Sequence, residues 1–172
     1  MHAGSIENAL KDLTILYDTR EQPSEKLTKR LEATGCPCER VKLNFGDYSA
    51  KCGDITLADS VVIERKMNLS ELAMCFGSER ARFKREFERA KEAGAKVYLL
   101  TENCDWDVLF SDSVYKRYTR SKYSRQAMLA SLTAWQARYH MSVVFCNEKN
   151  TGQLIREILY REMKERLKNG VD

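Results

Sequence analysis

The stretch Val61-Val62-Ile63-Glu64-Arg65-Lys66 constrains the fold most, because it reads as a strand covered on both faces that nevertheless ends in three charges. A continuous β-branched run suits a strand buried between layers, and isolated charges there carry a large desolvation cost unless they are paired or hold an ion. Side chains alternate along a strand, so Glu64 and Lys66 project to one side and Arg65 to the other. A carboxylate and an amine therefore share one pocket. A structural ion pair is one account of them, in a chain of which 31% is charged; a chemically active site is the other.

The rest of the chain bounds what such a site can be. Its 172 residues, 43% of them hydrophobic, suit a single domain over 1-172 with a core spanning about 13-168. Two prolines, eight glycines and the absence of a low-complexity tract argue against a linker. The longest apolar runs fall far short of the roughly 20 residues that cross a bilayer, so a cytoplasmic protein with no membrane partner is expected. Six cysteines lack the paired C-x-x-C spacing of a zinc site and are expected to be buried, reduced thiols. With only His2 and His140 available, any metal should be hard and held by carboxylate oxygens, which points to Mg2+ or Mn2+.

The net charge of +4 is modest, but its distribution is uneven. Lys116, Arg117, Arg120, Lys122 and Arg125 occur without an intervening acid, interleaved with Tyr118 and Tyr123. Cations neutralise phosphates and tyrosine rings stack on bases, so this segment is either a nucleic-acid contact or a solvated basic loop.

Hydrophobic periodicity predicts a first strand, LTILYD, ending at Asp18, and a helix between Pro23 and Gly35. A second strand is expected over Val41–Phe45, then a hairpin through Cys52-Gly53-Asp54. Helical spacing runs from Asn68 to Ala93, with a break at Gly77, and the strand AKVYLLTE follows. A short helical patch around Trp106–Phe110 leads into the basic loop, after which come the helix RQAMLASLTAWQARY, the strand MSVVFC and a closing helix with Leu154, Ile155, Ile158, Leu159 and Met163 inward. Strands separated by helices imply an α/β fold, a central mixed sheet flanked by helices with its central strands largely parallel.

Asp47 lies 17 positions before Glu64, giving D-x(16)-E-x-K with each acidic element at the end of an expected strand. Two carboxylates of this kind can hold a hard divalent ion that polarises a phosphodiester and acidifies water. Lys66 beside that ion could orient the attacking water or stabilise charge on the phosphate. The parts are those of a phosphodiesterase.

The local words GDY, ERK after a β-branched strand, and ILYDTRE upstream resemble the nuclease domain of the XPF-type (ERCC4 domain) structure-specific endonucleases, in their compact phage and bacterial form. The resemblance implies the restriction-endonuclease-like, PD-(D/E)xK fold and a metal-dependent DNA endonuclease acting on branched or flapped DNA in repair or recombination. It implies Asp47 and Glu64 as metal ligands, Lys66 as the catalytic lysine, Arg65 as the middle of the family word and Asp18 as a further acid of the site. Arg20 is a further candidate for DNA contact, and Arg82-Phe83 resembles an arginine–aromatic pair, with Phe83 expected in the core and Arg82 either on phosphate or on a solvated face. The family's E-R-K-x-x-x-D word would place an acid where Ser70 stands; Glu71 is one helical step, roughly 100°, away. That departure leaves a second expectation, a catalytically impaired nucleic-acid-binding module of the same fold. A homodimer paired through the closing helix is also expected.

Overall fold

The computed structural model describes residues 3–170, so His2 lies outside the described residues. Its elements are α1 (Ala3–Leu10), β1 (Leu13–Asp18), α2 (Glu25–Ala33), β2 (Cys38–Val41), β3 (Tyr48–Cys52), β4 (Ile55–Thr56), β5 (Val61–Lys66), α3 (Leu69–Phe76), α4 (Arg80–Glu92), β6 (Lys96–Glu102), α5 (Asp112–Tyr118), α6 (Arg125–Arg138), β7 (Met141–Cys146) and α7 (Thr151–Asn169). Short 3-10 turns cover Trp106–Phe110 and Glu148–Asn150. The elements form two compact units, one made of the chain up to Ile63 and from Lys149 onward, the other of Glu64–Glu148.

In the first unit β1 lies between two neighbours, parallel to β2 (Ile15 opposite Cys38) and antiparallel to β3 (Ile15 opposite Ala50). β3 in turn pairs antiparallel with β5, Tyr48 opposite Ile63, and folds back on β4 across Gly53, whose φ of 55° suits a residue without a Cβ. Helix α2 carries the chain from β1 to β2 as a parallel crossover. Ser24 starts that helix by accepting from Leu27 N–H at 3.1 Å, and Gly35, at φ 64°, follows its end. Helix α7 closes the unit, packing on α1, α2, β1 and β3 through Ile155, Leu159, Met163 and Leu167. Its buried positions recur every three or four residues; Leu154 and Ile158, expected inward, are half-buried at the margins of that stripe.

The expectation of a largely parallel centre is corrected at β3, which runs antiparallel to both of its neighbours β1 and β5, while β1–β2 and β6–β7 are parallel. The link over residues 42–47 is too short for a parallel crossover, so β3 must run back along β1. The strand expected over Val41–Phe45 lies instead over Cys38–Val41, and its remaining positions belong to this link. Leu43 and Phe45 are buried, but the backbone N–H of Leu43 donates to the Asp18 carboxylate at 2.7 Å instead of to a sheet partner. Helix α1 was not expected, since only Ile6 and Leu10 mark its buried face.

In the second unit, β6 and β7 pair in parallel, Leu99 opposite Val143. The predicted break at Gly77 separates α3 from α4. Their aromatic residues, with Tyr139 at the end of α6, surround the fully buried Trp135 of α6: Phe76 meets it edge-on at 4.8 Å, Phe83 stacks at 5.3 Å, and Phe87 and Tyr139 lie at 5.0 and 5.2 Å. All six cysteines are free; Cys52, Cys75 and Cys104 are buried and burial pushes each thiol up to about 11, whereas Cys36, Cys38 and Cys146 are half-buried. Among the described residues no helix is long and apolar enough to cross a membrane.

Removing the indole should empty this cluster. Trp135→Ala is expected to cost about 3–5 kcal/mol, read as a lowered midpoint in chemical denaturation.

Candidate active site

Gly46 and Asp47 form a turn that is tied to β1 and β5. Gly46 adopts φ 73°, and a Cβ there would lie 2.6 Å from Val62 Cβ, so only glycine lets the turn approach β5 this closely. Asp47 N–H donates to the Ile63 carbonyl at 2.8 Å, while the Asp47 carbonyl accepts from Asp18 N–H at 2.9 Å. Asp47 itself is half-buried.

Asp18, at the end of β1, is fully buried and organises this turn. Its Oδ1 accepts from Leu43 N–H and its Oδ2 from the backbone N–H and Nε of Arg20, whose Nη2 reaches the Gly46 carbonyl at 3.3 Å. Asp18, expected as a further acid of the site, and Arg20, expected as a DNA contact, are thus joined to each other and to the Gly46-Asp47 turn. Burial alone would raise the Asp18 carboxyl, but the Arg20 hydrogen bond, the Leu43 and Arg20 backbone donors and the Arg20 charge outweigh it and hold the group below its ordinary 3.8.

In the second unit Glu64 and Lys66 project to one side of β5 as alternation requires, with Lys66 Nζ donating to Glu64 Oε1 at 2.8 Å. Both are at the limit of burial, Glu64 6% and Lys66 9% exposed. The ammonium also lies 5.2 Å from the centroid of the Phe83 ring, and Glu71 Oε1 stands 3.9 Å from it. Arg65 projects to the opposite side, where its Nε donates to Glu102 Oε1 of β6 at 2.9 Å in a largely buried pair. Arg65, the middle of the family word, thereby ties β5 to β6.

Glu71 is the acid that the sequence left ambiguous. Asn68 caps α3 by accepting from Glu71 N–H at 2.8 Å, and Glu71 Oε2 accepts from Met67 N–H at 2.9 Å, a reciprocal cap at the helix start. The cap turns the other carboxylate oxygen toward Lys66. The N-x-x-E spacing was legible; its consequence for Lys66 was not. Ser70 faces elsewhere, its Oγ donating to Thr119 Oγ1 at 2.9 Å.

The basic segment is not one loop. Lys116, Arg117 and Tyr118 form the last turn of α5, Arg120 and Lys122 lie in the connection, and Arg125 opens α6. Arg125, also expected to contact DNA, is engaged internally, Nε donating to Asp112 Oδ1 and Nη1 to the Leu109 carbonyl, each at 2.8 Å. Lys116, Arg117, Tyr118, Arg120 and Lys122 are exposed. Arg82 sits on an exposed helix face paired with Glu79, while Phe83 is core, as expected.

Among the described residues no group of three or more His, Cys, Asp or Glu side chains is arranged to hold a metal. The carboxylates of Asp47, in the first unit, and Glu64, in the second, are each hard oxygen donors of the kind Mg2+ or Mn2+ takes; magnesium commonly takes one or two protein carboxylates and keeps several of its waters.

A mixed sheet flanked by helices, with an acid–lysine pair at a strand end, defines a restriction-endonuclease-like nuclease fold, and the chain superposes on XPF from Aeropyrum pernix with a TM-score of 0.60 at 20% identity, covering 87% of this chain and 61% of that one. It thus spans about three-fifths of that protein's length. The family model for the ERCC4 domain matches residues 17–158, and the chain belongs to the ERCC4 domain family. No curated protein matches.

Gly46→Ala should force the turn away from Val62, combining left-handed strain with overpacking, and lower stability by about 2–4 kcal/mol in thermal or chemical denaturation. Because folding lowers the Asp18 pKa, its contribution to stability is fully present above the unfolded value near 3.8 and is lost as pH falls through the lower folded value. Asp18→Asn should therefore flatten the acid limb of the stability–pH curve below about pH 4.

Proposed function

We propose that the chain is a divalent-metal-dependent DNA endonuclease that hydrolyses phosphodiester bonds in branched or flapped DNA, with Asp47, Glu64 and Lys66 as its catalytic residues. The observation that carries this reading is the buried Glu64–Lys66 pair, 2.8 Å apart, at the end of β5 in a chain of a nuclease family. Asp47 and Glu64 are the proposed ligands of Mg2+ or Mn2+. Such an ion, when bound, supplies Lewis acidity toward the phosphate and makes water a better nucleophile at neutral pH.

The chain's own residues do the rest. Lys66, fixed by Glu64, Glu71 and the Phe83 ring, presents a preorganised positive charge to the oxygens on which negative charge grows as the phosphodiester is attacked. Its ammonium is held without the freedom of a surface lysine, so little reorganisation accompanies the reaction. Glu71 supplies a carboxylate beside the lysine although Ser70 occupies the position of the family acid, which supports intact catalysis over the impaired binding module. Asp18 and Arg20 keep the Gly46-Asp47 turn in place. Lys116, Arg117, Arg120 and Lys122 are exposed cations suited to neutralising the DNA backbone, with Tyr118, 44% exposed, beside them.

Incubation with labelled flap, fork and junction DNA tests the reading: cleavage should require Mg2+ or Mn2+ and stop with a chelator. The double substitution Glu64→Gln, Lys66→Met removes both buried charges together, so the protein should keep a near-native melting temperature while cleavage falls by about 10²–10³-fold. DNA binding by the wild type with no cleavage of any of these substrates would establish the binding-module reading instead.

A further inference from the structure

The second unit contains a groove of about 630 Å3 between α3 and the connection that follows α5. Its floor is the face of α3 bearing Ser70, Ala73 and Met74, and its rim is the Thr119–Tyr123 segment. The rim is prebuilt: Ser121 N–H donates to Thr119 Oγ1 and Tyr123 N–H to Ser121 Oγ, each at 3.1 Å, and Tyr115 Oη donates to the Tyr123 carbonyl at 2.9 Å. Ser70 Oγ joins floor to rim through Thr119. Two features give the groove a chemical preference. Arg120 and Lys122 both line it, neither side chain has a hydrogen-bond or ion-pair partner among the described residues, and the lining contains no carboxylate. The floor is apolar where it is most open, with Met74 46% exposed beside Ala73.

We propose that this groove binds one unpaired DNA strand over one or two nucleotides, its phosphates on Arg120 and Lys122 and a base against Ala73 and Met74; the proposal rests on the nuclease reading for its choice of nucleic acid. The volume falls within the roughly 300–1,000 Å3 of sites that take compact ligands, and a double helix, whose major groove alone is about 12 Å wide, does not enter it. Every base has an apolar face, so a soft thioether and a methyl group accept any of them, while the cations neutralise the backbone that links them. Ser70 then has a function. An aspartate at that position would set a negative charge on the floor facing the phosphates, whereas the serine keeps the groove free of carboxylates and ties it to the rim.

The test is fluorescence anisotropy of the whole protein with labelled oligothymidine and, separately, a labelled blunt duplex, in chelator so that no strand is cut. Arg120→Gln with Lys122→Gln should weaken oligothymidine binding about tenfold or more, and lower the slope of log affinity against log salt by roughly 1.4, the value for two single-strand phosphate contacts. Ser70→Asp and, as a second variant on the exposed floor, Met74→Glu should each weaken it several-fold. Wild-type affinity and salt slope in the Arg120/Lys122 variant, tighter binding by Ser70→Asp, or equal affinity for the blunt duplex with equal losses would overturn the proposal. A parallel cleavage assay keeps the two readings apart. Oligothymidine binding that depends on these residues in a protein that cuts nothing supports the groove and removes the nuclease reading; cutting by a wild type whose groove variants bind normally does the reverse.

Discussion

A carboxylate and an ammonium, both largely hidden from water, persist at the end of β5 because each neutralises the other. Two charges taken out of water recover their desolvation cost by close contact and by further polar partners, and both conditions are met: Lys66 touches Glu64, faces Glu71 and lies against the Phe83 ring. The same requirement acts across the strand, where Arg65 is neutralised by Glu102. Three consecutive charges in a covered strand thus dictate acids at particular places on β6 and α3.

Stability alone does not account for the pair. Well-packed apolar residues of similar volume commonly stabilise a core as well as a buried ion pair does, or better. What the pair offers in exchange is a lysine of fixed position, and on the other unit the comparable investment is the Asp18–Arg20 clamp, which fixes a glycine turn that no other residue could occupy without colliding with Val62. Buried polar groups are spent on geometry in both places.

Much of this was legible in the sequence, because burial leaves a local imprint. The β-branched run, the alternation that parts Arg65 from Glu64 and Lys66, the hairpin at Gly53 and the break at Gly77 all follow from neighbouring residues. The sequence reading failed where a distant partner decided the outcome. Val41, Leu43 and Phe45 alternate as a strand does, yet the Leu43 N–H is claimed by a carboxylate 25 positions earlier. The partners of Arg125, Asp112 and the Leu109 carbonyl, were likewise not legible in its neighbours. Strand direction depended on the length of a link rather than on any side-chain pattern, and Glu71 was ambiguous because a one-position shift along a helix acquires meaning only once the helix start is capped.

The chain order of the first unit has a bearing on how the protein is made. The face of β1 and β3 is covered by α7, which is synthesised after every other element of that unit and after the whole of the second. A nascent chain must therefore carry an apolar sheet surface uncapped while Glu64–Glu148 emerges from the ribosome, and chaperone occupancy during translation should be concentrated in that interval.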